Sequence, residues 1–245
     1  MFKLMYNGVE VPNFVRVTGI DQYLLPEIEH YNSKIPSSYG NIDGGISYGS
    51  KVFTVHYKII FDEEHSDSYY VDKMAEWLIG NNSKVSKFQI DDSGEYYMAR
   101  PTDAINMSDA ILYGSGDITF VASNPRRYAP SVTNRTLNKT GNTTVNYTGL
   151  VPVCPVFTAE CPNGTASVKI TNATTGDYIL VSGTLTGTLV IDCDKKFISL
   201  EGTKDMSLLD IKSDWITLNR GNNIINVTIT GTAINSITMK YVVTN

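Results

Sequence analysis

Residues 124–130 read Asn124-Pro125-Arg126-Arg127-Tyr128-Ala129-Pro130, and this stretch separates two parts of the chain that differ in composition. Proline fixes its own φ and biases the preceding residue toward extended backbone, so the two prolines predict a stiff, extended segment. A chain of 245 residues is long enough for two ordinary domains. We therefore predict domains at residues 1–127 and 128–245, with a junction formed by Asn124, Pro125, Arg126, Arg127, Tyr128 and Pro130.

The part before the junction mixes strand patterns with one helical pattern. Asn7-Gly8 supplies the two positive-φ positions of a type I′ turn and therefore predicts a hairpin. Residues 51–61 alternate apolar and polar side chains, which predicts a strand with one buried face. Residues 66–79 place apolar side chains at helical spacing, and Gly80-Asn81-Asn82 is the expected helix end. These patterns predict an α+β domain with one helix that closes one face of a sheet.

Residues 37–49 hold four glycines among spaced apolar and aromatic side chains. We expect them to form a long, exposed, bent loop or arm within an irregular region that spans residues 21–50. Exposed apolar residues on a glycine-jointed loop commonly mark a partner surface. The candidate oligomer interface therefore consists of Tyr39, Ile42, Ile46 and Tyr48, and a loop that folds back on its own domain is the alternative interpretation.

The part after Pro130 is a Thr-, Asn- and Gly-rich run of short strand patterns without a convincing helix. Turn residues such as Asn163-Gly164 and Arg220-Gly221-Asn222 separate many of these patterns. About eight strands at this spacing are typical of an antiparallel sandwich. We predict a jelly-roll or lectin-like β-sandwich here, and a chain that is mainly β as a whole. The strand patterns lie at residues 143–148, 152–160, 166–171, 177–181, 187–192, 195–201, 214–218, 222–230 and 234–243.

Composition excludes several classes of partner. With 20 Lys and Arg against 25 Asp and Glu, the net charge is -5, and no basic stripe indicates a nucleic-acid binder. No apolar run approaches the roughly 18 residues that a membrane span needs, so no membrane partner is expected. Cys154, Cys161 and Cys193 are too few for a disulfide framework, and we expect them to be reduced and mostly buried. All histidines lie in the other domain, so neither a metal nor a cofactor is predicted.

Candidate catalytic residues are few. The run Asp62-Glu63-Glu64-His65 offers carboxylates beside an imidazole, but its position just before a helix favours a solvated turn at the positive end of the helix dipole. No serine or cysteine has the context of an activated nucleophile. We therefore predict that the protein is not an enzyme, with a hydrolase that depends on His56 or His65 as one rival class.

Aromatic residues of the second domain offer another rival class. Aromatic faces and Asn or Thr side chains suit carbohydrate, so these residues could form a sugar-stacking platform or, alternatively, pack into the sandwich core. A carbohydrate-binding adhesion module is therefore the alternative function. The residues concerned are Tyr147, Tyr178, Trp215 and Tyr241.

The order and spacing of three features resemble one family. They are the hairpin at Asn7-Gly8-Val9, the junction at residues 124–130, and the segment Trp215-Ile216-Thr217-Leu218-Asn219-Arg220-Gly221-Asn222-Asn223-Ile224-Ile225-Asn226-Val227. Together they resemble the distal tail proteins of long, non-contractile-tailed bacteriophages over nearly the whole chain.

This resemblance implies a structural virion protein at the tail tip, assembled in the cytoplasm of the bacterial host. It implies a homohexameric ring built from the first domains, with galectin-like second domains on the outside. Such a ring joins the tail tube protein to a tail-associated hub or fibre protein, supports receptor-binding proteins, and lets DNA pass through its channel. The junction would then act as an elbow between the inner domain and the outer sandwich.

Overall fold

A computed structural model describes residues 3–36, 39–79, 84–102 and 107–245 of the chain. The chain divides into two compact units, Met1–Pro130 and Ser131–Asn245. The expected helix end at Gly80-Asn81-Asn82 and the first two residues of the expected arm, Ser37 and Ser38, lie outside the described residues.

The first unit contains a seven-stranded sheet in which all neighbours are antiparallel, with the order β2-β1-β7-β8-β9-β6-β3. Strands β4 and β5 form a separate two-stranded sheet. The elements are β1 (Met5–Tyr6), β2 (Val9–Glu10), β3 (Val15–Gln22), β4 (Ile28–Lys34), β5 (Asn41–Tyr48), β6 (Lys51–Ile59), α1 (Asp67–Ile79), β7 (Ser86–Gln89), β8 (Tyr97–Pro101), α2 (Met107–Tyr113) and β9 (Ser115–Ala122).

Three predictions for the first unit are confirmed. Asn7 and Gly8 adopt φ values of 55° and 78° between β1 and β2, as a type I′ turn requires. Along β6, the apolar side chains of Phe53, Val55, Tyr57 and Ile59 point into the core and alternate with polar side chains on the outer face of the sheet. Helix α1 buries Tyr70, Met74, Trp77 and Leu78, the residues that recur at helical spacing.

Helix α1 and the sheet share one aromatic core. The indole N–H of Trp77 donates to the carbonyl of Val9 at 3.2 Å, which attaches the helix to the first hairpin. The rings of Phe88 and Phe120 stack at a centroid distance of 4.4 Å, and Tyr6 contacts Phe120 at 5.2 Å. The prediction of a single helix is wrong, because α2 adds a second one. Its seven residues are too short for a helical repeat of apolar side chains to stand out.

The second unit is the predicted antiparallel β-sandwich, closed around one core. Strands β12 and β13 pair along their length. The first part of β12 also pairs with β17 and its later part with β16. This long strand therefore connects β10 and β17 on one side with β11 and β16 on the other. The strands are β10 (Tyr128–Thr136), β11 (Gly141–Tyr147), β12 (Val156–Asn172), β13 (Tyr178–Asp192), β14 (Phe197–Leu200), β15 (Thr203–Lys204), β16 (Gly221–Gly231) and β17 (Ser236–Thr244).

Several strand predictions in this unit are wrong in detail. The strands predicted at residues 152–160 and 166–171 are one strand that begins at Val156, because Asn163-Gly164 lies in a bulge of β12 and not in a turn. Residues 177–181 and 187–192 likewise join in β13. Of the strand predicted at residues 214–218, only Leu218 pairs, through an isolated bridge to Val153. The polar strand β10 was not predicted.

A buried amide pair fixes the turn that leads into β16. The side chain of Asn223 is fully buried, and its Nδ2 donates to the carbonyls of Asn219 at 2.7 Å and Gly221 at 3.1 Å. Its Oδ1 accepts from the N–H of Asn219 at 3.1 Å and from Nδ2 of Asn172 at 3.2 Å. Asn172 also donates to the carbonyl of Thr217 at 2.8 Å. These bonds explain why an asparagine stands at position 223 within the segment that carries the family resemblance.

Candidate functional site

The most conspicuous exposed element of the first unit is the hairpin of β4 and β5, called the arm below (residues 27–49). Among the described residues its strands pair only with each other. The prediction of an irregular loop is therefore wrong, while its exposure is as expected. No Asn-Gly pair marks the turn, and the arm lacks the alternation of buried and exposed positions that reveals a strand in sequence.

The arm exposes all four residues of the candidate interface. Tyr39 is fully exposed, and Ile42, Ile46 and Tyr48 are exposed to 53%, 48% and 58%. An isolated two-stranded hairpin is only marginally stable in water. Apolar residues exposed to water on it are a further unfavourable contribution, which a partner surface would remove. This exposure argues against a loop that folds back on its own domain and favours a surface that a partner covers.

The register places these residues on two faces of the arm. Ile28 pairs with Tyr48 and His30 pairs with Ile46, so Ile46 and Tyr48 share one face. A bulge follows, in which β5 contributes an extra residue around Gly44 and Gly45. Beyond it Ile42 pairs with Ser33. Ile42 therefore lies on the opposite face.

The opposite face also carries a tyrosine and a carboxylate. The hydroxyl of Tyr31 donates to Oε2 of Glu29 at 3.1 Å and lies 3.4 Å from Oγ of Ser47. Side chains at alternate positions of a strand share a face, which groups Glu29, Tyr31 and Ser33 with Ile42. Ile42 thus shares one face of the arm with Glu29 and Tyr31, whereas Ile46 and Tyr48 share the other face with Asp43.

Glycine allows the bulge of the arm. Gly45 has a φ of 92°, and its N–H donates to Oδ1 of Asp43 at 2.8 Å. A Cβ at Gly44 would lie 2.9 Å from the carbonyl oxygen of Tyr31. The close approach of the two strands at this point therefore requires glycine.

The outer face of the large sheet carries a histidine between two aspartates. Nδ1 of His56 lies 2.6 Å from Asp117 and Nε2 lies 3.1 Å from Asp21, so the imidazole links three strands. Hydrogen bonds to Asp117 and then to Asp21 raise the pKa of His56 above its ordinary value. Because both nitrogens face carboxylates, the charged imidazolium fits this position best.

We expect His56 to stabilise the first unit more at low pH than at high pH. A raised pKa in the folded state means that the stabilisation is complete below the unfolded value near 6.5 and is lost as the pH rises through the folded value. The side chain is 37% exposed, so solvent screening keeps the effect below about 1 kcal/mol. Unfolding of wild type and His56→Gln in a Trp215→Phe background, followed by Trp77 fluorescence at pH 5.5 and 8.5, measures this effect. A difference between the two proteins that does not change with pH would contradict the assignment, and His30→Gln on the arm is the control.

The second histidine of the hydrolase hypothesis lies in a turn. Asp62 Oδ1 accepts from the backbone N–H groups of Glu64 at 3.1 Å and His65 at 2.9 Å, just before α1. Nδ1 of the His65 imidazole also lies 2.8 Å from Oδ1 of Asp62, and this side-chain hydrogen bond holds the pKa of Asp62 below its usual range. The His65 ring stacks on Tyr69 at 3.9 Å. These contacts agree with the predicted solvated turn, and the structure does not bring His56 and His65 together into one site.

The structure does not assemble the four candidate sugar-stacking residues into a platform. Tyr147 and Tyr241 are buried in the core of the second unit and contact each other edge-on at 5.8 Å. The Tyr147 hydroxyl donates to the carbonyl of Val151 at 2.7 Å. Tyr178 is half-buried beneath Lys169, and Trp215 is half-buried against the core. The core interpretation therefore holds for Tyr147 and Tyr241.

The cysteines are free thiols in the structure. Cys161 and Cys193 are buried and Cys154 is half-buried, as expected. Burial raises the pKa of Cys161 to about 11 and raises that of Cys193 further. Such thiols are poor nucleophiles at neutral pH. In the described ranges no group of three acidic, His or Cys side chains could hold a metal ion, and no helix has the length and apolarity of a membrane span.

The junction residues contact the hairpin of β7 and β8 within the first unit. The backbone of Tyr128 exchanges two hydrogen bonds with Tyr96, and the two rings stack at 5.5 Å. Arg127 pairs with Glu95 at 3.0 Å. Nδ2 of Asn124 donates to the Tyr128 hydroxyl at 3.2 Å. The segment is therefore ordered on the first unit up to Pro130.

The chain is similar in sequence to known phage tail proteins. Residues 148–243 match the family described as siphovirus-type tail component, C-terminal domain. The distal tail protein of Bacillus phage SPP1 is 26% identical over 229 residues, which are 89% of this chain and 87% of that protein.

Two solved structures share the fold. The crystal structure of the SPP1 distal tail protein, described as a paradigm of the hub adsorption apparatus in phages that infect Gram-positive hosts, matches with a TM-score of 0.80 at 16% identity, over 100% of this chain and 99% of that chain. A chain of the baseplate of phage p2 in its activated conformation with Sr matches with a TM-score of 0.50 at 10% identity, over 98% and 97% of the two chains. The resemblance predicted from the sequence is thus confirmed: residues 148–243 match the siphovirus-type tail component family, and the chain as a whole is similar to a phage distal tail protein in sequence and fold.

Proposed function

We propose that this protein forms a homohexameric ring at the tip of a phage tail. The ring joins the tail tube protein to the tail-tip hub or fibre protein and supports receptor-binding proteins through its second units. The protein acts there as a structural component of the virion, without enzymatic activity, and DNA passes through the channel. The kinship with distal tail and baseplate proteins supports this role.

The observation that carries the proposal is the arm. Its apolar side chains are exposed on both faces in a single chain. A ring subunit presents one surface to the preceding copy and a different surface to the following copy, and such head-to-tail contacts close by rotation. An exposed apolar hairpin is suited to be one of these surfaces, with Tyr39, Ile42, Ile46 and Tyr48 at the contact between copies.

The acidic balance of the chain fits a channel for DNA. With a net charge of -5, the subunit offers few counter-charges to phosphate, so DNA would slide through without binding. A surface-charge map of the assembled ring that showed a strongly basic lumen would contradict this part of the proposal.

Molar mass in solution tests the ring. We expect light scattering to find six chains of 27.0 kDa each, or a stacked pair of such rings, with the assembly favoured at high protein concentration. Negative-stain images should show a ring with a central channel. A monomer at every concentration up to the millimolar range would overturn the proposal.

A further inference from the structure

A second exposed surface of the first unit lies at the far end of β6 from the arm. We call it the basic end surface. Strand β6 is nine residues long, which corresponds to roughly 30 Å. The arm joins β6 at Gly49, and the basic end surface begins where the strand ends. It consists of Arg16, Lys58, Ile60, Phe61, Leu112 and Tyr113.

The basic part of this surface is a like-charged pair. Arg16 on β3 and Lys58 on β6 are direct cross-strand partners, and both are exposed. Like charges placed opposite each other in a sheet are destabilising. In the described part of the chain neither side chain forms an ion pair. The pair therefore leaves a local positive charge that a carboxylate would offset.

The apolar part of this surface lies at the same end of β6 as the basic pair. Leu112 and Tyr113 at the end of α2 are exposed to 72% and 73%, and Ile60 to 55%. The N–H of Ile59 donates to the carbonyl of Gly114 at 2.9 Å, which brings the end of β6 beside the end of α2. Phe61 lies within van der Waals distance of a Cβ built at Gly114. Apolar and basic groups thus lie at the same end of the sheet, with Arg16 and Lys58 on its outer face and Phe61 toward α1, where its ring lies 5.2 Å from that of Tyr70.

The arm combines negatively charged and apolar side chains, which complement the basic and apolar groups of the basic end surface. It carries three exposed carboxylates, Glu27, Glu29 and Asp43, against one lysine, Lys34. On one of its faces Glu29 lies beside Tyr31 and Ile42, so that an acidic group and apolar groups are presented together. Asp62, Glu63 and Glu64 follow Phe61 and bound the apolar surface on that side, so the charge match with the arm rests on Arg16 and Lys58.

We propose that the face of the arm formed by Glu29, Tyr31 and Ile42 docks on the basic end surface of the next copy in the ring. This inference rests on the proposed hexamer. Because the two surfaces lie at opposite ends of the same strand, each subunit can donate its arm on one side and receive an arm on the other. That is the requirement for a heterologous contact that closes into a ring.

A photo-crosslinking residue at position 42 tests the contact in the assembled full chain. We expect Ile42→p-benzoylphenylalanine to crosslink two chains, with mass spectrometry locating the second end between residues 14 and 18, 56 and 62, or 110 and 114. The same residue at Ile46, on the other face of the arm, is the matched control and should give these peptides at most one tenth as often. Crosslinks from position 42 to another region, or none in a sample that contains rings, would overturn the proposal.

Charge exchange provides the second test. Arg16→Glu with Lys58→Glu should weaken assembly about tenfold or more, as should Glu29→Lys alone, and combining all three changes should restore it. Arg135→Glu with Lys139→Glu, at exposed positions of the second unit, is the control and should have no effect. If wild type and the Arg16→Glu, Lys58→Glu variant assemble equally, the docking proposal fails and the ring stands. If the wild type does not assemble, both fail.

Discussion

Replacing Asn223 by alanine is expected to lower the free energy of unfolding of the second unit by about 2–4 kcal/mol. The amide group makes four hydrogen bonds at the entry to β16, and three of them go to the backbone of Asn219 and Gly221. Alanine keeps the backbone but removes every one of these partners. A buried polar group that loses its partner costs about 1–3 kcal/mol.

Hydration of the groups left without a partner reduces the loss of stability in Asn223→Ala but does not remove it. Asn219 is exposed, so solvent can reach its backbone groups after the substitution. Asn172 remains buried and keeps one donor bond to Thr217. Asn223→Asp should cost at least as much as alanine, because a carboxylate cannot donate to the two carbonyls and would be buried without a cation.

Urea unfolding of the full chain, followed by Trp215 fluorescence in a Trp77→Phe background, measures this effect. Trp215 packs against the core of the second unit and therefore reports on that unit. Asn222→Ala is the matched control, since its side chain is exposed at the adjacent position, and it should change stability by less than about 0.5 kcal/mol. Equal midpoints for Asn223→Ala and wild type would mean that the amide network does not hold the turn.

The elements that sequence patterns predicted are those whose signal is local. Asn7-Gly8 determines its own turn through two positive φ values, and β6 alternates because one of its faces is buried. Helix α1 repeats apolar residues because one side packs on the sheet. In each case the physical cause lies within a few residues of the pattern.

The elements that were missed depend on partners far away in sequence. Asn163-Gly164 has the composition of a turn, but a hydrogen bond from Thr232 to the carbonyl of Gly164 and the close approach of Gly231 make it a bulge inside β12. Strand β10 carries mostly polar residues, and its place in the sheet comes from β17. The segment from Trp215 to Leu218 alternates like a strand, yet it pairs only through one bridge to Val153.

The candidate interface illustrates a different limit. Glycines among apolar residues indicated an exposed segment, and this was sufficient to select Ile42, Ile46 and Tyr48. The two faces of the arm depend on the bulge at Gly44-Gly45, which shifts the register by one residue. Sequence alone therefore indicated which residues are exposed but could not divide them between faces, and the separation of Ile42 from Ile46 and Tyr48 emerged only from the pairing.

Replacing Ile42 and Tyr48 together by aspartate is expected to abolish assembly while leaving the folded subunit intact. The two residues lie on opposite faces of the arm, so the double change places a carboxylate on each face. An uncompensated charge buried in a contact costs several kcal/mol, and a loss of about 4 kcal/mol at each contact raises the dissociation constant roughly a thousandfold. The subunit itself should tolerate the change, because both side chains are exposed in it.

Light scattering on the full chain, at a concentration where the wild type forms rings, should find only monomer for the double variant. Asn134→Asp with Asn235→Asp adds the same charge at exposed positions of the second unit and should assemble like wild type. In a Trp215→Phe background, unfolding followed by Trp77 fluorescence should coincide for all three proteins when they are diluted to monomer, which separates a lost contact from a lost fold. An unchanged ring in the Ile42→Asp, Tyr48→Asp variant would show that the arm is not the contact between copies.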